Sequence, residues 1–510
     1  MSQPTILPVA EYLPDMPDFP ASGSSNIKNV YPRTPLSYGA INSPAPVSSA
    51  LLSQCRGAAA FIDNLGTVNI FAGDANNLYR LVAGDAYVWE LVTRTVGGAY
   101  GVTVDDYWEF DYFNGSALAC NLTDNIQTFN LLSDTKFSDL AGSPPRAKHL
   151  AVVKNAFVML GNTFDGVSQN QPQRVWWSAA GNATSWPTPG SVTAAQVQSG
   201  FVDLFGSEGA VQAVRSGLTS ADALIFQQYG IRRAVYSGPP EVFEFLPAQN
   251  VRGTPAPHSP VVIGGTCYYF GYDGWYSYDG ATSEPIGANK VDKTFMDNLD
   301  DTHSHLIVGA ADPRSKMIWW AYPGKGGAGQ LTKMIGYNWQ LQRWTPADLV
   351  VEMLARTISL GYTLDQLGTV LGFTLDTLPA PLDSSIWAGG ALQLGVFDTA
   401  HKLNYLTGPA MAAIVETSEM QPITGRRAGI ISARPLIDGS GVGAPSVSIG
   451  HRERQQNVVT YAQATALNRL GLCPQRTSGR YLRAQMTVQA GGDWTNISGV
   501  EVEVVGQGKR

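Results

Sequence analysis

A loose repeat of short aromatic strands joined by Gly, Asp and Asn turns constrains this chain more than any other feature. One copy reads Val68-Asn-Ile-Phe-Ala-Gly-Asp-Ala-Asn-Asn-Leu-Tyr-Arg-Leu81, another Cys267-Tyr-Tyr-Phe-Gly-Tyr-Asp-Gly-Trp-Tyr-Ser-Tyr-Asp-Gly280. Each is an apolar run, a sharp turn and a second aromatic run, the pattern of antiparallel strands in a repeat array. The units begin near residues 58, 107, 147, 202, 261 and 303, about 35–55 residues apart. Four short strands per unit make a propeller blade. The expected fold is therefore all-β: a β-propeller of about six blades, or seven, with an additional C-terminal β-sandwich-like domain.

The segments follow from where the pattern starts and stops. Residues 1–54 are rich in Pro, Ser and Asn and read as an extended N-terminal segment. Residues 55–347 carry the propeller. Residues 348–409 read as a linker with strands that could close the ring. Asp348–Ala355 fits helix or strand, Thr357–Gly361 leans to strand, and the run around 387–397 returns to the blade style. Residues 410–510 read as a C-terminal β domain, with strands expected near 412–416, 427–437, 446–451, 458–461, 481–489 and 499–505.

Composition narrows the function classes. Hydrophobic residues make up 44% of the 510, enough for a large core, but charged residues only 15%, which suits a surface partly covered by other subunits. The net charge of −7 argues against tight binding of nucleic acid through its phosphates. Cys55, Cys120, Cys267 and Cys473 are scattered without metal spacing and are expected as buried free thiols in a reducing compartment. The first residues lack the pattern of a secretory signal, and no run approaches the ~20 apolar residues of a membrane helix.

No motif carries strong chemistry. The Gly324–Lys333 run lacks the Gly-Lys-Ser/Thr ending of a phosphate loop and reads as a hairpin loop. His303 and His305 would share a face if that segment were a strand, with Asp300 and Asp301 beside them. A metal site would need further ligands from elsewhere, so a polar loop entering a strand is the expectation. The pairs Asp105/Asp106 and Asp300/Asp301 do not by adjacency supply the separation that glycoside hydrolysis requires. In the pairs Trp176/Trp177 and Trp319/Trp320, one ring is expected in the core and the other facing out, for an interface or a sugar. Arg426, Arg427, Arg434, Arg452, Arg454, Arg476, Arg480, Arg483 and Lys509-Arg510 make the last domain basic. We expect no catalytic residue, no cofactor-binding residue, no metal ligand and no cofactor.

Several segments together resemble the tail nozzle, or tail hub, proteins of short-tailed bacteriophages, also known as packaged-DNA stabilisation proteins. They are Asn29-Val-Tyr-Pro32 ahead of the first blade, the signatures Arg174–Trp186 and Ile335–Trp344, and the end pattern Ser478-Gly-Arg-Tyr481 followed by Gly492–Glu503. In order they span nearly the whole chain. The resemblance implies a non-enzymatic structural protein of the virion tail, made in the bacterial host cytoplasm. It implies a homo-oligomeric ring, six-fold, that extends the DNA channel for ejection. The implied partners are a head-to-tail adaptor, a fibre or spike, a central plug or needle, and genomic DNA passing without sequence-specific binding. The alternative from the residues themselves is a carbohydrate-binding or glycan-cleaving propeller. A host-type scaffold propeller is disfavoured because the Gly-His and Trp-Asp blade signatures are missing.

Overall fold

Alternating residues within single strands pack toward different neighbours, and this organises the molecule. In the strand Phe157–Asp165, Phe157 and Met159 enter one apolar cluster while Val158 and Leu160 enter another. Ala223 and Ile225 divide in the same way from Leu224 and Phe226. A sheet buried on both faces needs near-continuous apolar strands rather than apolar-polar alternation. The computed structural model, which describes residues 3–20, 23–82, 87–360, 390–439, 443 and 445–508, shows why both faces are buried.

Among the described residues, seven four-stranded antiparallel sheets follow one another along the chain. The first six begin with the strands Ala58–Ile62, Glu109–Phe113, Arg146–Val153, Val211–Ser216, Val261–Ile263 and Val308–Asp312. The seventh consists of Met353–Ile358, Leu392–Phe397, Lys402–Tyr405 and, as its fourth strand, Ala45–Ala50 from the N-terminal segment. Each consecutive pair of sheets shares an apolar cluster, and the sixth, seventh and first share one. The order is therefore cyclic and propeller-like. Tight turns set the hairpins: Asn114-Gly115 and Gly264-Gly265 both have positive φ at two successive residues, the backbone that a two-residue hairpin turn requires.

The ambiguous run 348–355 resolves into a loop and the start of the strand Met353–Ile358. Residues 361–389, including Trp387, lie outside the described residues. The one-in, one-out expectation for the tryptophan pairs is corrected for Trp319 and Trp320. Both are buried, on opposite faces of the sixth sheet, because each face meets another sheet. Trp176 is half-buried against Phe201 at 5.4 Å, and Trp177 is buried.

Two further sheets form a terminal unit. One is six-stranded and combines Ala428–Asp438, Cys473–Gly479 and Asn496–Gly506 with Gln3–Pro8, Val30–Thr34 and Ser37–Ala40. The other is five-stranded, with Ser446–Arg452 and Tyr481–Val488 at its centre and Ala413–Glu416 at one edge. The unit is thus built from both ends of the chain. Its core is continuous with that of the fifth and sixth sheets, where Trp275 lies 4.3 Å from Trp320 and 5.8 Å from Trp344. All four cysteines are buried free thiols, and no helix among the described residues is long and apolar enough to cross a membrane.

Candidate functional site

The first strands of neighbouring sheets pack beside one another around the axis, and three of them supply the ionisable side chains Glu109, His149 and Arg215. They converge. Glu109 Oε1 faces His149 Nδ1 at 3.1 Å and accepts from Arg215 Nη1 at 3.1 Å and Nη2 at 3.2 Å. His258, in the loop entering the fifth sheet, places Nδ1 at 3.6 Å from the same oxygen. Oε2 accepts from the Leu150 backbone N–H at 3.0 Å. Arg215 also donates to the carbonyls of Val214, Pro257 and Pro260. One carboxylate therefore joins the second sheet to the third, the fourth and the approach to the fifth.

The physical reason lies in the geometry of an innermost strand. Its axial edge has no strand to pair with, and buried N–H groups left unpaired are costly. Glu109 and Asp111, two residues apart on one strand and so on one face, supply acceptors to Leu150 and Val152, two residues apart on the next. Asp111 Oδ2 accepts from Val152 N–H at 2.6 Å, and Oδ1 from Tyr112 N–H at 2.7 Å.

Burial alone would raise the Glu109 carboxyl, but the Arg215 guanidinium and the adjacent imidazoles outweigh it and hold the group well below the carboxylate range. Burial pushes His258 down to about 3, and His149 downward as well, against the pull of Glu109. Both imidazoles are thus neutral near pH 7. The contact to Glu109 fixes the His149 proton on Nδ1, which leaves its Nε2 buried without a partner among the described residues. Burial raises Asp111 to about 6 against its two backbone N–H bonds. A cavity of about 600 Å³ adjoins the cluster, lined by Glu109, Asp111, Arg215 and Arg356 among others. Glu109 has its lone pairs occupied and its charge compensated, so it is suited to holding sheets together rather than to exchanging protons. Asp111 is the carboxyl on this wall that titrates near neutrality.

The residues singled out from sequence sit elsewhere. His303 and His305 do not lie on a strand: Asp300 caps a 3-10 helix over Asp301–Leu306. His303 Nδ1 faces Asp300 Oδ2 at 2.9 Å, whereas His305 Nε2 faces Asp105 Oδ1 at 3.3 Å, and the rings are 6.3 Å apart. These are two separate pairs beside a cavity of about 300 Å³. No group of three or more His, Cys, Asp or Glu suited to a metal occurs among the described residues. Asp106 turns to Lys148 at 2.5 Å, away from Asp105. The Gly324–Gln330 run connects the strands Met317–Pro323 and Leu331–Asn338.

The terminal arginines divide into two groups. Arg483 is buried between Glu416, Glu419 and Asp18, and Arg452 pairs with Glu419 at 2.5 Å. Arg427 reaches Glu453 and Arg434 reaches Glu501. Arg426, Arg454, Arg476 and Arg480 make no ion pair among the described residues; Lys509 and Arg510 lie outside them.

Three distant segments meet at a seam between the ring and the terminal unit. Asn29 donates its side-chain N–H to Ala412 O at 2.9 Å and accepts from Asp348 N–H at 2.8 Å, while its backbone N–H reaches Pro346 O. Asn338 donates to Pro32 O at 3.0 Å, and Thr345 Oγ1 donates to Val30 O. Arg33 donates to Thr495 O at 2.8 Å, and Tyr38 pairs with Ile497.

The axial cluster escaped sequence reasoning because its members come from three sheets and the loop that enters a fourth. The signal in the sequence is weak: Glu109 shares its strand with Asp111, His149 follows Arg146 and Lys148, and only Arg215 is the single charge of its strand. No family model matches the chain, and no curated protein matches it. Among solved structures, one that is similar is an exo-β-1,3-galactanase variant from Phanerochaete chrysosporium with β-1,3-galactotriose, 10% identical, with a TM-score of 0.29, covering 90% of this chain and 100% of that one. A likeness at that level carries no inference about chemistry.

Proposed function

We propose that this chain is a structural, ring-forming virion protein of the tail-nozzle kind, its seven cyclic sheets being the blades of a propeller and its terminal unit a two-sheet domain fixed to the rim. The observation that carries the reading is the seam. Three of the segments on which the resemblance rests, around Asn29–Pro32, Ile335–Trp344 and Gly492–Glu503, are hydrogen-bonded into one joint although they are hundreds of residues apart. Segments placed in this way hold two bodies in a fixed relation, which a ring subunit under load requires and a soluble catalyst does not. The test is imaging and native mass measurement of the purified chain, alone and with the adaptor encoded by the same genome. Closed rings of identical subunits are expected; a monomer under every condition, adaptor included, would sink the reading.

A second reading has one observation in its favour. Asp111, raised to about 6, lines a cavity of about 600 Å³ beside the ionised Glu109. Below pH 6 this sets one protonated beside one ionised carboxyl, the pairing that glycan hydrolysis uses. A screen of polysaccharides for release of reducing ends decides it. Hydrolysis lost in Asp111→Asn supports a glycan-cleaving propeller, and inertness of the native protein across the screen removes it.

A further inference from the structure

The two parts of this chain carry opposite charge. Residues 411–510 hold eleven Lys and Arg against seven Asp and Glu, a net +4, which leaves −11 on residues 1–410. Three of the arginines without an ion pair among the described residues, Arg426, Arg454 and Arg480, are gathered at one end of the terminal unit, whereas Arg469 and Arg476 lie away from it. There the strand Ala428–Asp438 begins, the chain turns between Gly479 and Tyr481, and the 452–460 hairpin projects. Contacts fix this proximity. Arg427 reaches both Ser478 Oγ at 3.2 Å and Glu453 at 2.9 Å, Arg452 lies over the Tyr481 ring at 5.9 Å, and the space beside Gly479 is filled by His451 and the Arg452 carbonyl. Arg426, Arg454 and Arg480 stand around this end without an ion pair among the described residues, next to Val458, which is 88% exposed.

A matching surface occurs on the ring. The outer strands of the fourth and fifth sheets, Phe243–Gln249 and Ser283–Pro285, and the turns beside them expose Glu241, Glu244, Asp279 and Glu284. None of these makes an ion pair among the described residues, and Leu246, on the strand Phe243–Gln249, is exposed. Both surfaces combine unpaired charge of one sign with an exposed aliphatic side chain, the composition of an interface that is steered by charge and sealed by apolar contact.

We propose that the basic end of the terminal unit docks on the acidic rim of the fourth and fifth sheets of a second copy of this chain. The inference rests on the ring-forming reading above and specifies which surfaces meet. Equal numbers of both surfaces are present in any homo-assembly, and a contact between two different patches is what closes a ring of identical subunits.

The experiment uses the full chain. Self-association is measured by sedimentation at ~0.1 M and ~1 M salt, where the screening length falls from about 10 to 3 Å. Assembly should weaken at high salt. Arg454→Glu/Arg480→Glu and Glu241→Arg/Glu244→Arg, at positions that are exposed or, for Arg480, half-buried, should each weaken self-association on the order of 100-fold, with thermal unfolding unchanged as the check on folding. Mixing the two variants should restore assembly, because one native and one charge-swapped contact then alternate. Rings that are insensitive to salt and to both variants would overturn the interface and leave the ring-forming reading standing. A chain that never assembles overturns both. A monomer that binds DNA through the same arginines also overturns the proposal, in favour of a polyanion as occupant.

Discussion

Replacing Glu109 by Gln tests whether a single carboxylate organises the axis. Glu109 accepts from Arg215 and Leu150, faces His149, and its side chain is only 6% exposed. The amide of Gln keeps one oxygen for the Leu150 N–H but turns an N–H₂ group toward the guanidinium and the imidazole. Removing one partner of a buried ion pair costs about 3–5 kcal/mol, because the other charge stays buried and uncompensated. The midpoint of urea unfolding, with an unchanged slope, should fall by a corresponding amount. The double variant Glu109→Gln/Arg215→Met removes both charges. It should be less destabilised than the sum of the single variants by more than about 1 kcal/mol, since residues that share a network do not add. A loss below about 1 kcal/mol in Glu109→Gln, or strict additivity in the pair, would refute the hub.

Acid should loosen the same region. The folded His258 imidazole, held at about 3 against an ordinary 6.5, contributes stability that is present above pH 6.5. That contribution is lost as pH falls toward 3, at up to about 1.4 kcal/mol per pH unit. Asp111, raised to about 6, acts in the opposite sense between pH 6 and its ordinary 3.8, so thermal scans of His258→Asn against the native chain should show a flatter acid limb. Gly142→Ala places a Cβ 1.7 Å from the Thr184 carbonyl at φ +84° and should cost about 2–3 kcal/mol in denaturant titration. Asn29→Ala removes two side-chain hydrogen bonds at the seam and should hasten proteolytic cleavage within residues 23–40. Truncation of residues 1–54 removes Ala45–Ala50, bares the outer edge of the seventh sheet and should yield aggregates in light scattering.

Six strand sets were legible because each carries its own turn chemistry, as at Asn114-Gly115 and Gly264-Gly265. Of the seventh, the closing strands within 348–409 were expected, but its outer strand was not, because it comes from Ala45–Ala50 and no local pattern announces so distant a partner. Trp319 and Trp320 misled for a different reason: strand alternation tells the two faces of a sheet apart, but not whether both are covered. The polar segment expected to enter a strand at His303 and His305 does so as a 3-10 helix that Asp300 caps, a local hydrogen bond that competes with a ladder. The axial cluster illustrates the general limit. Glu109, His149, Arg215 and His258 become one object only after three sheets and the loop entering the fifth have packed.

The closure of the seventh sheet also sets an order of events in time. Leu403 donates to Ser48 across 355 residues of chain. At ~5–20 residues per second, the strand Ala45–Ala50 leaves the ribosome ~20–70 s before its partner exists. Throughout that interval the six earlier sheets form an open arc with two bare ends, and the waiting strand is an unpaired edge near the N-terminus. Ring closure is therefore among the last steps of synthesis, and a chain that stalls before Tyr405 displays the edge that the finished protein hides.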